Sequence, residues 1–488
     1  MEWFNVKEIG IGCDGLMKPT AYDTAWLARI PAEHDHSVSA FPEALNWVRQ
    51  NQRCDGSWGA EAEFAHDRVI STLVAILALV ERGEGDRDQR AVEAGLGYIW
   101  EIADQLESEH ETIGFEVILP ALLETCQVMD LALPTYVFKR YEKMRDEKMA
   151  RIPPAMLCSK DTTMAFSLEF LGDSLDGMQI ESLQEGNGSV GVSPSATAYF
   201  LTKLPNNGAA RRYIAEVARS YAGQAPQVFP FDVFETAWSL WNLALAGFSP
   251  RDPILTSKVD GLACLWNQSE GRGVGFSSEY SITDVDDTAM AYDVLNWAGY
   301  EPDYQALRRF ERDQYFVCYP WEREGDWSLS ANIHVLHALR DVDHAIATKI
   351  VEFLKLQVCP EGYWADKWHI SPYYTTAHAV IALVGLDDEI AGDAVQWILR
   401  TQRSDGCWGY HGRPTVEETA YCLQALSVYS RCVESLDPKV LRRGREGLLA
   451  YRGETPSLWV GKCLYAPVRV VRSAIHSALV MTDVGRGA

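Results

Sequence analysis

The sequence predicts an all-α fold of repeated helical hairpins, and three observations carry that prediction. A Gly-aromatic segment recurs along the chain: "QRCDGSWG" at 52–59 and "QRSDGCWG" at 402–409 agree at six of eight positions. Each copy is followed by a small-residue, apolar stretch with helical spacing. Alternation of the kind that marks strands is scarce. A period of roughly 45 residues with two helices per unit suits a solenoid or, closed on itself, an α/α barrel.

Taken in chain order, "YDTAWLA" (22–28) and "DRVISTLVAILAL" (67–79) are the first helix starts. "SATAYFL" (195–201), "FETAWSLWNLAL" (234–245) and "DVDDTAMAYDVL" (284–295) follow. The last are "YYTTAHAVIAL" (373–383) and "VEETAYCLQAL" (416–426). All carry apolar residues on more than one face, as buried helices do. Looser copies of the Gly-aromatic segment are "QVCPEGYW" (357–364) and "QSEGRGVGF" (268–276), the latter with Phe276 in the aromatic place. These segments supply turns between helices, where glycine takes backbone conformations other residues cannot. Trp58 and Trp408 are expected to be structural parts of the repeat.

Composition narrows the function. The 488 residues carry a formal charge of −24 and 16 tryptophans. That charge repels the phosphate backbone and argues against a nucleic-acid partner. A small anion would need a local basic or metal-bearing pocket. Eleven cysteines are scattered without a CxxC pair, which reads as reduced thiols of a cytoplasmic protein. The expectation is of no secretory signal and no transmembrane segment.

"SITDVDDTAM" (281–290) crowds Asp284, Asp286 and Asp287 against the start of a helix. Such a cluster could be a metal site, a solvated helix cap, or a place where a carboxyl group keeps its proton. Burial and like charges both push a carboxyl toward the neutral acid. The helix start would favour the anion formed once the proton leaves.

Together these segments resemble the class II terpene cyclases, which start cyclisation by protonating an alkene. The Gly-aromatic copies are similar to the QW motifs of squalene-hopene and oxidosqualene cyclases, and "DVDD" fits the DxDD general-acid motif. "TAYDTAW" (20–26) resembles the SAYDTAW signature of diterpene cyclases such as copalyl diphosphate synthases. "IGFEVILPALLE" (113–124), "SPSATA" (193–198) and "WVGKCLYAPVRVVRSA" (459–474) resemble further stretches of those enzymes. The resemblance implies a double α/α-barrel, a βγ didomain. Mapped on this chain, residues 1–38 and 218–488 would form β, with 39–217 inserted as γ. No DDxxD is present, and "DDEIA" at 387–391 does not fit it.

The resemblance also implies roles. Asp286, the middle residue, would donate the proton, supported by Asp284 and Asp287. Geranylgeranyl diphosphate would become a bicyclic labdane, halimane or clerodane diphosphate for a separate class I terpene synthase. The rivals are a drimenyl-type cyclase on farnesyl diphosphate and, from another class, an α/α-toroid glycoside hydrolase. Glu107, Glu109 and Glu111 would lie where an acidic segment holds Mg²⁺ against the diphosphate; an exposed acidic loop is the alternative.

Lys462, with Arg469 and Arg472, is a candidate for phosphate binding, solvated helix charge being the default expectation. Trp327, Trp364 and Tyr373, with Tyr374 and Tyr421, are candidates to face substrate or cation, core packing or an inter-helix turn being the default expectation for each. His334 and His337, three apart, are expected to be core or cavity histidines without carboxylate companions. Plant enzymes that make the ent isomer end with a His–Asn pair. Here Asp173 and Asp303 stand in those places and are candidates for deprotonation or termination. Oligomeric state stays open between monomer and homo-oligomer.

Overall fold

The computed structural model describes residues 15–106, 111–157, 159–172 and 180–483. They form two rings of helices, each with its own apolar core, which is the expected all-α double barrel. In the first, α1 (Ala21–Arg29), α3 (Ala65–Arg82), α5 (Phe115–Val128), a 3₁₀ segment (Thr163–Leu171) and α7 (Pro194–Lys203) pack in that order. α7 returns to α1 and closes the ring. Around them lie α2 (Pro42–Gln50), α4 (Gly85–Ile102), α6 (Thr135–Met149) and α8 (Gly208–Ser220).

The second ring is built from α9 (Asp232–Leu245), α11 (Val285–Trp297), α12 (Leu329–Leu339), α14 (Pro372–Leu383), α16 (Val416–Cys432) and α18 (Val468–Met481). Each packs on the next, and α18 closes on α9. Outer helices α10 (Pro253–Gln268), α13 (His344–Gln357), α15 (Asp388–Arg400) and α17 (Pro438–Ala450) return the chain between them. Every inner helix therefore begins at the same end of the barrel. The strands β1 (Trp459–Val460) and β2 (Leu464–Tyr465) form a small hairpin before α18.

The Gly-aromatic turns are the joints. Gln402 donates its amide to Gly406 O and Val440 O, while the Trp408 indole N–H bonds Ile398 O at 2.8 Å. Gln52 and Trp58 repeat this with Gly56 O, Ala91 O and Val48 O. Gly406 has φ +88°, and a Cβ there would meet Arg443 O at 2.5 Å, so the turn requires glycine. A further copy, unmarked by any aromatic, stands at Gln184–Gly191. Gln184 bonds Gly188 O, and Val190 fills the tryptophan's place.

The expected domain boundaries need correction. α1 was assigned with the second barrel, yet Ala21–Ile30 lie in the core of the first. Its residues are buried on all faces, and without it the gap between α3 and α7 would stay open. Only just before α1 does Met17 reach the second core. At the other boundary α8 runs on to Ser220, past residue 217. No helix among the described residues is long and apolar enough to cross a membrane.

Candidate active site

Asp284 starts α11. Its Oδ1 accepts the Asp287 backbone N–H at 2.8 Å, closing the cap that lets the helix begin at Val285. That places Asp286 in the first turn. Asp284 and Asp287 are buried, whereas the Asp286 side chain keeps 19% of its surface open. All three carboxyls line a cavity between the two barrels.

Electrostatics favour the protonated form of Asp284 and Asp287. Burial, reinforced by the Asp286 charge, pushes Asp284 up to about 7. Burial and then the charges of Asp284 and Asp286 push Asp287 well above the carboxylate range; its carboxyl hydrogen-bonds to Asp284. Asp287 thus behaves as the neutral acid that donates to its neighbour. Asp286 Oδ1 instead bonds His334 Nδ1 at 2.5 Å, from the next inner helix. His334 Nε2 meets His378 Nδ1 of α14 at 2.8 Å. The Trp238 ring stands edge-on to His334 at 5.5 Å and fixes its plane.

Half of the remaining lining residues are aromatic. Phe166 from the first barrel faces Phe231, Phe234, Phe276, Tyr280 and Tyr319 of the second. Trp368, Trp459 and Tyr465 complete the aromatic part of the lining, beside Thr163, Ser167, Gln227, Cys318 and Ser330. The Trp459 indole N–H is anchored on Glu417 Oε1 at 2.7 Å, and Tyr374 packs on its ring at 4.6 Å. Aromatic faces stabilise a cation without offering it a lone pair. One carboxylic acid at the head of such a cavity can protonate a weak base and leave the cation facing aromatic rings.

Several sequence expectations are corrected here. Trp364 is fully buried, its indole N–H on Leu354 O and its amide on Thr376, so it is the tryptophan of its turn and not a cavity residue. Trp327 packs edge-on to Phe353, and Tyr373 lies on Trp397, both between inner and outer helices. Lys462 points away from the cavity into the first barrel. There it is enclosed by Glu169 (2.7 Å), Ser193 (2.8 Å), Ser195 (2.5 Å) and Phe166 O (2.8 Å). Asp303 is exposed and accepts the Gln305 N–H, capping the short helix Gln305–Arg308. Arg469 bonds Glu235.

His334 and His337 do have carboxylate companions: Asp286 and, at 2.7 Å, Asp293. Asp173, Glu107 and Glu109 lie outside the described residues. Glu111 is half-buried, 3.9 Å from His66, and burial plus the Glu116 charge raises its pKa. "DDEIA" has a structural use, since Asp387 caps α15 and pairs with Lys355 at 2.8 Å. The sequence reading passed over Lys367. Its ammonium lies 5.3 Å from the ring centroid of cavity-lining Trp368. Against burial, the Cys318 thiol, Glu322 and Asp366 hold it above the usual lysine value.

Comparison with known proteins agrees with this geometry. Residues 328–432 match the squalene-hopene cyclase C-terminal domain family. The chain is 38% identical to a type B diterpene cyclase of Mycobacterium tuberculosis over 95% of both proteins. It is 29% identical to an ent-copalyl diphosphate synthase of Streptomyces sp. (strain KO-3988), over 96% of this chain and 93% of that one. The ent-copalyl diphosphate synthase structure from Streptomyces platensis superposes with a TM-score of 0.82 over 98% of both chains, at 29% identity. A carboxylic acid at the head of an aromatic cavity between two helical barrels, with relatives of this kind along its whole length, makes the chain a member of the class II diterpene cyclases.

Proposed function

We propose that the chain cyclises geranylgeranyl diphosphate to a bicyclic diphosphate of labdane, halimane or clerodane type. The observation that carries this is the placement of Asp286, hydrogen-bonded to His334, at the head of the aromatic cavity. Nine aromatic side chains line the cavity, a lining that suits an apolar prenyl chain.

In the step we envisage, the Asp286 O–H bond breaks as the terminal alkene's π electrons form a C–H bond. The tertiary cation is passed along successive alkenes as two rings close, and the last cation loses a proton from an adjacent carbon to a basic group or water at the cavity wall, leaving a C=C bond. Ring closure replaces π bonds by σ bonds and supplies the driving force. The carboxylate left behind is stabilised by the His334 N–H and by the amino end of α11. The diphosphate stays on the product, which a class I terpene synthase could then ionise.

The diphosphate end needs positive charge. Lys367 at the Trp368 wall is one source. Mg²⁺ is a second, and Glu111 fits its hard, oxygen-seeking chemistry. Ile113, two residues on, lines the cavity, and Glu116 lies close enough for its charge to raise Glu111. Bound there, Mg²⁺ would neutralise phosphate charge.

The test is incubation with geranylgeranyl and farnesyl diphosphates, followed by phosphatase treatment, mass spectrometry and NMR. A bicyclic C20 alcohol is expected. A C15 product alone would replace the substrate, and no product from either would overturn the reading. The raised Asp284 and Asp287 also set a pH dependence. An acid with a raised pKa is protonated below that pKa and loses its proton above it. kcat/KM is therefore expected to fall as the pH rises past about 7, as Asp284 ionises beside the donor. A rate that climbs from pH 7 to 9 would contradict this.

A further inference from the structure

Behind the wall opposite the acid stands another carboxylate, Glu417. α11 and α16 are three places apart in the ring of six inner helices, so they face each other across the barrel. Their starts correspond residue for residue, "DVDDTA" (284–289) with "TVEETA" (415–420). Asp284 and Thr415 are the N-caps. Thr288 and Thr419 each accept a backbone N–H from the preceding turn, that of Val274 and of Trp408. Glu417 therefore takes the place on α16 that Asp286 takes on α11.

The neighbouring Glu418 holds the turn together, accepting from Ser371 Oγ, Tyr410 N and Thr415 Oγ1. Glu417 caps nothing. It is fully enclosed, and its Oε1 takes the Trp459 indole N–H at 2.7 Å, the Tyr421 hydroxyl at 3.2 Å and His369 Nε2 at 3.4 Å. His369 Nδ1 accepts the Ser371 N–H at 3.0 Å, which assigns the ring proton to Nε2, facing Glu417. All three neighbours are thus donors. Glu417 Oε2 has no partner among the described residues to which a carboxyl proton could be given, so the group is a carboxylate. No lysine or arginine among the described residues pairs with it, and His369, with Nδ1 accepting, brings no positive charge. A buried charge is costly unless a counter-charge offsets its desolvation. Trp459 connects this carboxylate to the cavity: its ring lines the wall, edge-on to Phe234 at 5.4 Å, and its backbone is bridged to His369. Negative charge at the indole N–H moves electron density onto the ring face, the face that attracts a cation. Burial, then the charges of Asp287, Asp286 and Glu417, raise the hydroxyl of cavity-lining Tyr465, which therefore senses both walls.

We propose that Glu417 is a positioning residue for the cation: acting through the Trp459 indole, it makes that wall the place where positive charge is held once it has left the Asp286 end. This rests on the chain cyclising geranylgeranyl diphosphate from Asp286. The acid and the Glu417 charge stand at opposite walls, and ring closure carries the cation from one toward the other. The cation is then the counter-charge that the buried carboxylate otherwise lacks. Glu417 does not touch the substrate and takes no proton from it. Its charge lowers the energy of a cation already formed, and so keeps that cation alive until the second ring has closed.

The experiment measures kcat, KM, products and thermal melting of the full chain and its variants with geranylgeranyl diphosphate. Glu417→Gln keeps the size and an oxygen for the Trp459 N–H but loses the charge. Its kcat is expected to fall about tenfold with KM within about twofold, and monocyclic diphosphates should appear beside the parent product. Its melting temperature should be no lower than the parent's, since a buried charge without a counter-charge is gone. Trp459→Phe keeps an aromatic face and cuts the link to Glu417. It should lower kcat the same way, and it carries the test if Glu417→Gln does not fold. With Trp459→Phe already present, Glu417→Gln should change kcat by less than about twofold, because the charge acts through the indole. Parent-like kcat and products in Glu417→Gln would overturn the proposal, since a mere anchor for Trp459 survives that substitution. Losses that multiply in the double variant would overturn it too. No turnover by the parent chain would instead be a failure of the substrate assignment, and the role of Glu417 would fall with it.

Discussion

Asp286→Ala is expected to lower kcat by on the order of 10³-fold or more while leaving the fold intact. The side chain makes no cap; its described hydrogen bond is to His334, and part of it faces the cavity. Its loss removes the acid and little packing. Asp286→Asn should be as inactive, because an amide keeps the shape but has no acidic proton to give. Asp284→Ala separates the two roles of the cluster. It removes the N-cap of α11, a loss of about 1 kcal/mol, and also the partner that shares a proton with Asp287. It should therefore lower stability and rate together. Product formation measured beside circular dichroism and thermal melts distinguishes the cases. An Asp286→Ala chain with more than a tenth of the parent rate would remove Asp286 from the mechanism.

The distribution of what was legible follows from the physics of each feature. The helices announced themselves because buried inner helices must be apolar around most of their circumference, and the Gly-aromatic turns because their bonding needs particular side chains. The copy at Gln184–Gly191 was missed since Val190 fills the space with no aromatic to mark it, although Gln184 and the positive-φ Gly188 keep the same turn. The aspartates were legible because three carboxyls before a helix demand an explanation.

His334 was not legible as a partner of Asp286. The bond joins residues 48 apart and depends on how α11 and α12 pack. The aromatic lining failed for a related reason. Sequence singles out aromatics at turns and helix starts, where Trp364 and Tyr373 stand, but only the ring of helices decides which face the cavity. In "WVGKCLY" the charge drew attention to Lys462, while the hairpin turns Trp459 and Tyr465 to the cavity and the lysine away from it. α1 was misplaced because a continuous apolar helix fits either core equally well from its own residues alone.

Lys462→Met carries the largest expected loss of stability. The lysine is fully buried, its ammonium 2.7 Å from a Glu169 carboxylate that is itself almost wholly enclosed. Tyr22 donates to the same Glu169 oxygen at 3.0 Å, while Glu169 Oε2 has no partner among the described residues. Methionine preserves much of the stem's volume but leaves that carboxylate without a counter-charge, and takes the ammonium's donors from Phe166 O, Ser193 and Ser195. Removing one partner of a buried pair costs about 3–5 kcal/mol. The first barrel should therefore unfold at a clearly lower denaturant concentration.

Glu169→Gln added to Lys462→Met removes the stranded charge and should recover a large part of the loss. The same pair of variants decides the role of this lysine in catalysis. A diphosphate ligand would raise KM when lost, with little change in stability. A buried tether would lower the melting transition, and it would lower kcat only as the hairpin carrying Trp459 and Tyr465 shifts against Asp286. A variant with unchanged stability and a tenfold higher KM would restore Lys462 to the substrate; its enclosure by Glu169, Ser193, Ser195 and Phe166 O predicts the opposite.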